Sequence, residues 1–149
     1  MDYLEEQSQK LNLPGVSYEV GTEEVTGGLT SADAFERFIS DLLKELDTRH
    51  LPHPAFIVGQ TGTLVKMDKN VGKFDPGNAA KLCQIARQYG LGFKEHNADY
   101  LPQDVLKMHP ELGVTAANVA PEFGSVETIS LVKLAEQEEK AVSGRTDMR

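Results

Sequence analysis

The chain has 149 residues, 40% of them hydrophobic and 26% charged, with a formal net charge of −8. These proportions describe a soluble globular domain large enough for one sizeable core, and the acidic balance argues against a nucleic-acid or anionic-membrane surface. The single cysteine, Cys83, rules out an internal disulfide framework and fits a reducing cytoplasm. No apolar run nears the roughly 18 residues of a membrane span, and the acidic opening Met1-Asp2-Tyr3-Leu4-Glu5-Glu6 does not read as a signal peptide.

Residues 2–12 carry a weak helical pattern that Pro14-Gly15 ends. Val16-Ser17-Tyr18-Glu19-Val20 alternates and reads as a first strand, running into Glu23-Glu24 and the pliable Gly27-Gly28. A helix follows, with Phe35, Phe38, Ile39, Leu42, Leu43 and Leu46 on one apolar face. Thr30 or Ser31 is placed to cap it. The second strand is expected over 55–60, followed by a long loop from Thr61 to Phe74 that carries Lys66, Lys69 and Lys73.

Asp75-Pro76 is a helix start, with a capping carboxylate and proline at the first helical position. Its buried face is Ala79, Leu82, Cys83, Ile85, Ala86 and Tyr89, so Cys83 is core rather than nucleophile. The third strand covers Gly92–His96. A short helix is expected over Gln103–Met108, with His109 in the loop before Pro110. Val114–Val119 is the fourth strand, and Ser125 opens a last helix that buries Val126, Ile129, Leu131 or Leu134, Val132 and Ala135. Residues 1–140 form the domain, and 141–149 are a polar tail.

Strands with little polar alternation, each followed by an amphipathic helix, imply a parallel α/β sheet. Two closures fit: a four-stranded layered sandwich, or half of a (β/α)8 barrel, whose full form needs about 250 residues. In the half barrel the first and last strands lack partners, and such edges call for another chain or segment.

Ligands of parallel α/β folds sit at the carboxyl ends of strands. Those ends present Glu23-Glu24, Gln60-Thr61, Glu95-His96 with Asp99, and Asn118. One imidazole and one or two carboxylates are a donor set for Zn²⁺, Mn²⁺ or Fe²⁺, and the three lysines could clamp a phosphate. His50 and His53, in a turn at the opposite end of the sheet, read as structural. No P-loop, dinucleotide fingerprint or nucleophile elbow is present.

The residues also resemble a known family. Val16-Ser17-Tyr18-Glu19-Val20-Gly21-Thr22-Glu23 with Gly27-Gly28 is similar to the "YVIGTEVPVPGG" stretch of the tagatose-bisphosphate aldolase accessory subunit family. Phe93-Lys94-Glu95-His96-Asn97-Ala98-Asp99-Tyr100 resembles its "YEAHSTDY", Gly59-Gln60-Thr61-Gly62 its "VVQPG" run, and Ala135-Glu136-Gln137-Glu138 its "ALAQIEQE" helix. The resemblance covers most of the chain and implies strands five to eight of a class II aldolase-type barrel. It implies Glu23 and His96 where that class places its divalent metal, zinc by preference, and its catalytic carboxylate, with Gln60, Glu95 and Asp99 at accompanying positions. Together with the strand-end and lysine readings, the expected catalytic groups are Glu23 and Asp99 and the expected substrate contacts Gln60, Lys66, Glu95 and Asn118. Where the family has "VGPA", this chain has Asn118-Val119-Ala120, so a free ketose or uronate handled by an epimerase is an alternative to a ketose phosphate.

The activity implied is metal-assisted carbon chemistry in carbohydrate metabolism, by an oligomer. Its partners would be a sugar or sugar phosphate and either the missing N-terminal half barrel or a catalytic aldolase subunit that the chain stabilises. A small α/β binding module without catalysis is the remaining reading.

Overall fold

A computed structural model describes residues 1–21 and 28–146. Its centre is a four-stranded, wholly parallel sheet built from β1 (Glu19–Gly21), β2 (Phe56–Gly59), β5 (Gly92–Glu95) and β6 (Val114–Ala117), lying in that order. The helices are α1 (Asp2–Lys10), α2 (Ala32–Thr48), α3 (Pro76–Gln88), α4 (Gln103–Leu112) and α5 (Pro121–Thr146). A two-residue hairpin, β3 (Val65–Lys66) and β4 (Lys69–Asn70), stands apart in the connection between β2 and α3.

Strand order follows chain order, so right-handed crossovers carry every connecting helix to the same side of the sheet. Register shows the result. Val20, Ile57, Phe93 and Val114 stand level across the four strands, and they pack against Phe35, Ile39, Leu82 and Ala86 of α2 and α3. The Phe93 and Phe35 rings meet edge to face, with centroids 5.9 Å apart. The opposite face, with Phe56, Val58 and Lys94, is only half-buried. A sandwich covers both faces with helices, whereas this sheet is covered on one: it is half of a (β/α)8 barrel.

Local chemistry explains most boundaries. Asp75 accepts a 2.9 Å hydrogen bond from the Asn78 N–H and starts α3 at Pro76, and the expected apolar stripe of that helix is its buried face. Neither expected cap of α2 acts: Ser31 makes no side-chain bond to the helix, and the Thr30 hydroxyl accepts from the Gln60 N–H at 2.9 Å. Gly113 closes α4 at φ +94, where a Cβ would also lie 2.8 Å from the Arg87 guanidinium.

Three expectations give way. The 61–74 loop contains the hairpin, whose turn holds Met67 at φ +53. The fourth helix runs past Met108 to Leu112 with Pro110 inside its last turn, so it continues at the expense of one i→i−4 backbone donor. The last helix starts at Pro121 rather than Ser125 and extends through Thr146 into the expected tail; Val126, Ile129, Leu131, Val132 and Leu134 on it are exposed, not buried. Its apolar spacing suits burial, but no element of the described chain lies over it.

Replacing Phe93 with Ala removes the ring that joins the sheet to α2 and α3. The expected loss is about 3–5 kcal/mol of unfolding free energy, read from urea denaturation.

Candidate functional site

Gln60, His96 and Asn118 are the first residues after β2, β5 and β6, so three of the expected contacts share the carboxyl edge of adjacent strands. Backbone bonds carry the ladder into this row: the Asn118 N–H donates to Glu95 O at 3.0 Å, and the Ala98 N–H to Asn118 O at 3.0 Å. Gln60 is buried, while His96 and Asn118 are half-buried. Glu23 lies outside the described residues.

Glu95 is not at the rim. Side chains alternate along a strand, and Glu95 falls on the same side as Phe93, between the sheet and α4. It is fully buried. The Thr61 hydroxyl donates to its Oε1, and His109 Nε2 lies 2.8 Å from its Oε2, with the ring N–H out of line for a hydrogen bond. Burial raises the Glu95 pKa to about 7, against the smaller opposing effect of the Thr61 bond. Burial also lowers the His109 pKa. Both groups therefore lean toward their neutral forms. His109, expected in a loop, is a buried residue of α4 whose ring packs on Phe74 with centroids 5.3 Å apart. Its signal in the sequence was position: it shares the helical stripe of Val105, Met108 and Leu112.

Asp99 is also committed to structure. Its Oδ1 accepts from the Ala120 N–H at 2.8 Å and the Glu122 N–H at 2.9 Å, anchoring the start of α5. In return Glu122 accepts from the Tyr100 N–H at 2.7 Å, and the Tyr100 hydroxyl pairs with Ser125 Oγ at 2.6 Å. Asn97 and Tyr100 have φ of 60° and 57°, a left-handed backbone that is costly for a tyrosine and persists only where its surroundings impose it. Asn70 of the hairpin does part of that, donating at 3.0 Å to the carbonyls of both Asn97 and Asp99. Asn70 did not stand out in the sequence, and Thr61 did so only as a polar strand end beside Gln60.

A cleft of about 600 Å³ opens among the loops at this same end of the sheet, within the range of small-molecule sites. Leu29, Leu64, Val71 and Phe74 give its apolar wall, and Lys73 and Asp75 its charge. Lys66 is not in it: it sits on the exposed hairpin directly opposite Lys69. Among the described residues no three His, Cys, Asp or Glu side chains group to hold a metal ion. His96 is a single donor, with Glu95 turned away and Asp99 engaged, so the described residues do not fit a metal centre by themselves. Cys83 is buried as expected, its thiol pushed up to about 11 chiefly by burial, so it is no nucleophile at neutral pH.

Glu95 carries a higher pKa folded than its ordinary 4.5, so its burial costs stability progressively as pH rises from about 4.5 to 7. His109 acts oppositely, costing stability as pH falls below its usual 6.5. Glu95→Gln is expected to abolish the decline above pH 4.5, about 3 kcal/mol by pH 7, while keeping the loss at acid pH; urea titrations across pH 4–8 check this. Asp99→Ala should cost about 1–2 kcal/mol and speed amide exchange at Ala120 and Glu122 before other helices respond.

Among the described residues no helix is long and apolar enough to cross a membrane. No protein-family model matches the chain, and no curated protein matches its sequence. Among solved structures it is similar to a probable tagatose 6 phosphate kinase from Sinorhizobium meliloti 1021, at 22% identity and a TM-score of 0.57 over 71% of this chain. The match spans only 28% of that protein's length. The likeness is one of fold: a parallel α/β unit that recurs inside a much longer chain.

Proposed function

We propose that the chain is the ligand-holding half of a carbohydrate-handling barrel, binding a ketose phosphate at its carboxyl edge and supplying contacts rather than the proton-transfer step. One observation carries this reading. The two acids expected at the described strand ends serve the fold, Glu95 beneath the sheet beside His109 and Asp99 at the start of α5, whereas Gln60, His96 and Asn118 stand together at the rim.

Such a division of labour suits the accessory role implied by the resemblance to tagatose-bisphosphate aldolase accessory subunits, in which a catalytic aldolase partner does the chemistry. The similarity in fold to a probable tagatose 6 phosphate kinase supports the same substrate class. His96 and Asn118 would bind sugar oxygens, and Lys73 in the adjoining cleft would attract the phosphate as a mobile point charge. Should a divalent metal take part, His96 is the donor this edge offers, and Glu23 with residues of another segment would complete its set.

Titration calorimetry with tagatose 6-phosphate and with tagatose tests the reading. The phosphate ester is expected to bind more tightly, His96→Ala and Asn118→Ala each to weaken it about tenfold, the loss of one hydrogen bond, and Lys73→Ala to erase the preference for the ester. Equal heats from wild type and the three variants would refute it. Zinc bound in 1:1 ratio and lost in His96→Ala would shift the role from holding the sugar to metal-assisted chemistry.

A further inference from the structure

The uncovered apolar surface of this molecule is not scattered. Among the described residues sixteen large hydrophobic side chains are exposed, and twelve of them lie in two stretches, 3–16 and 123–142. The first comprises α1 and the segment leading to β1, with Tyr3, Leu4 and Leu11; the second is α5, following β6, with Phe123, Leu131 and Leu134. These are the elements that flank the two open edges of the sheet, β1 and β6. Surface of this kind, beside unpaired strand edges, marks a site of association.

We infer that the surface is covered by a second copy of this chain, related by a twofold axis, so that two half barrels close into one ring of eight parallel strands. The order β1-β2-β5-β6 repeats without a break when β6 of each copy meets β1 of its partner, and α5 of one copy then lies over the α1 side of the other. Each edge is thus the complement of the other edge of the same chain, the condition for a self-complementary twofold assembly. A full (β/α)8 barrel has eight strands, and two copies supply them.

The area agrees. Twelve side chains exposed by half or more leave roughly 1,000 Å² of apolar surface per chain, and burying it in both copies reaches the approximately 2,000 Å² of obligate dimers. Closure also encloses the half-buried face that carries Phe56, Val58 and Lys94. Charge acts against it: each copy contributes −8, so association should tighten as salt screens the repulsion.

This inference rests on the half-barrel geometry and not on the sugar-binding reading, and the dimer is measured without ligand. Sedimentation equilibrium of the full chain is expected to give twice the 16.4 kDa chain mass at micromolar concentration, with several-fold tighter association at 300 mM than at 50 mM sodium chloride. Leu131→Glu with Leu134→Glu on α5, and separately Leu4→Glu with Leu11→Glu on the α1 side, should each weaken the dimer at least 100-fold. All four positions are exposed, so circular dichroism of the monomers should stay that of wild type. Mixing the two variants should restore a 1:1 heterodimer, because one of its two contacts is then wild type on both sides. A wild-type monomer at 100 µM overturns the proposal and leaves the edges to a different polypeptide. A dimer that survives the α1-side changes overturns the closed ring in favour of α5 packing on α5.

Discussion

The two-residue period of a β-strand governs this molecule. In β5 it sends Phe93 and Glu95 toward the helices and Lys94 toward the open face, where Lys94 pairs with Glu19 of β1. A shift of one residue would exchange the two sets. Phe93 would then lose Phe35 and the core, and Lys94 would be driven among α2 and α3. The register is fixed by that penalty, and it separates Glu95, buried on the helix side, from its neighbour His96 at the strand end.

Beyond β5 the chain stops behaving as a strand and becomes a junction. Residues 96–100 receive bonds from the hairpin through Asn70, from the chain after β6 through Asn118, and from α5 through Glu122 and Ser125. The Thr63 hydroxyl adds a 2.6 Å bond to the His96 carbonyl. A left-handed tyrosine is tolerated because so many separate elements hold it. The strain sits beside the rim residues, where a rigid backbone orients His96 instead of leaving it to sample solvent.

Much of this was legible in the sequence. The apolar stripes of α2 and α3, the Asp75-Pro76 start and the four parallel strands all rest on local rules, spacing and capping, that need no knowledge of neighbours. Failures came where a distant partner decides. His109 precedes a proline and so read as loop, but Phe74 and Glu95 give it a buried place. Glu95 and His96 are adjacent in a polar stretch, and only the sheet register separates the inward one from the outward one. Asp99 read as a catalytic acid because nothing local shows that the start of α5 will arrive beside it. The apolar residues of α5 promised burial and met no cover, since a sequence pattern states what a face requires and not which chain provides it.

The agreement between strand order and chain order has a bearing on how the molecule is made. Each strand of the four-stranded sheet pairs with the sheet strand synthesised before it, with only the separate β3–β4 hairpin intervening, and each crossover helix can settle on a strand already in place. Assembly can therefore proceed vectorially as the polypeptide leaves the ribosome, with contacts of modest sequence separation forming first. The exception is α5: among the described residues, no element formed before it lies over its apolar side chains.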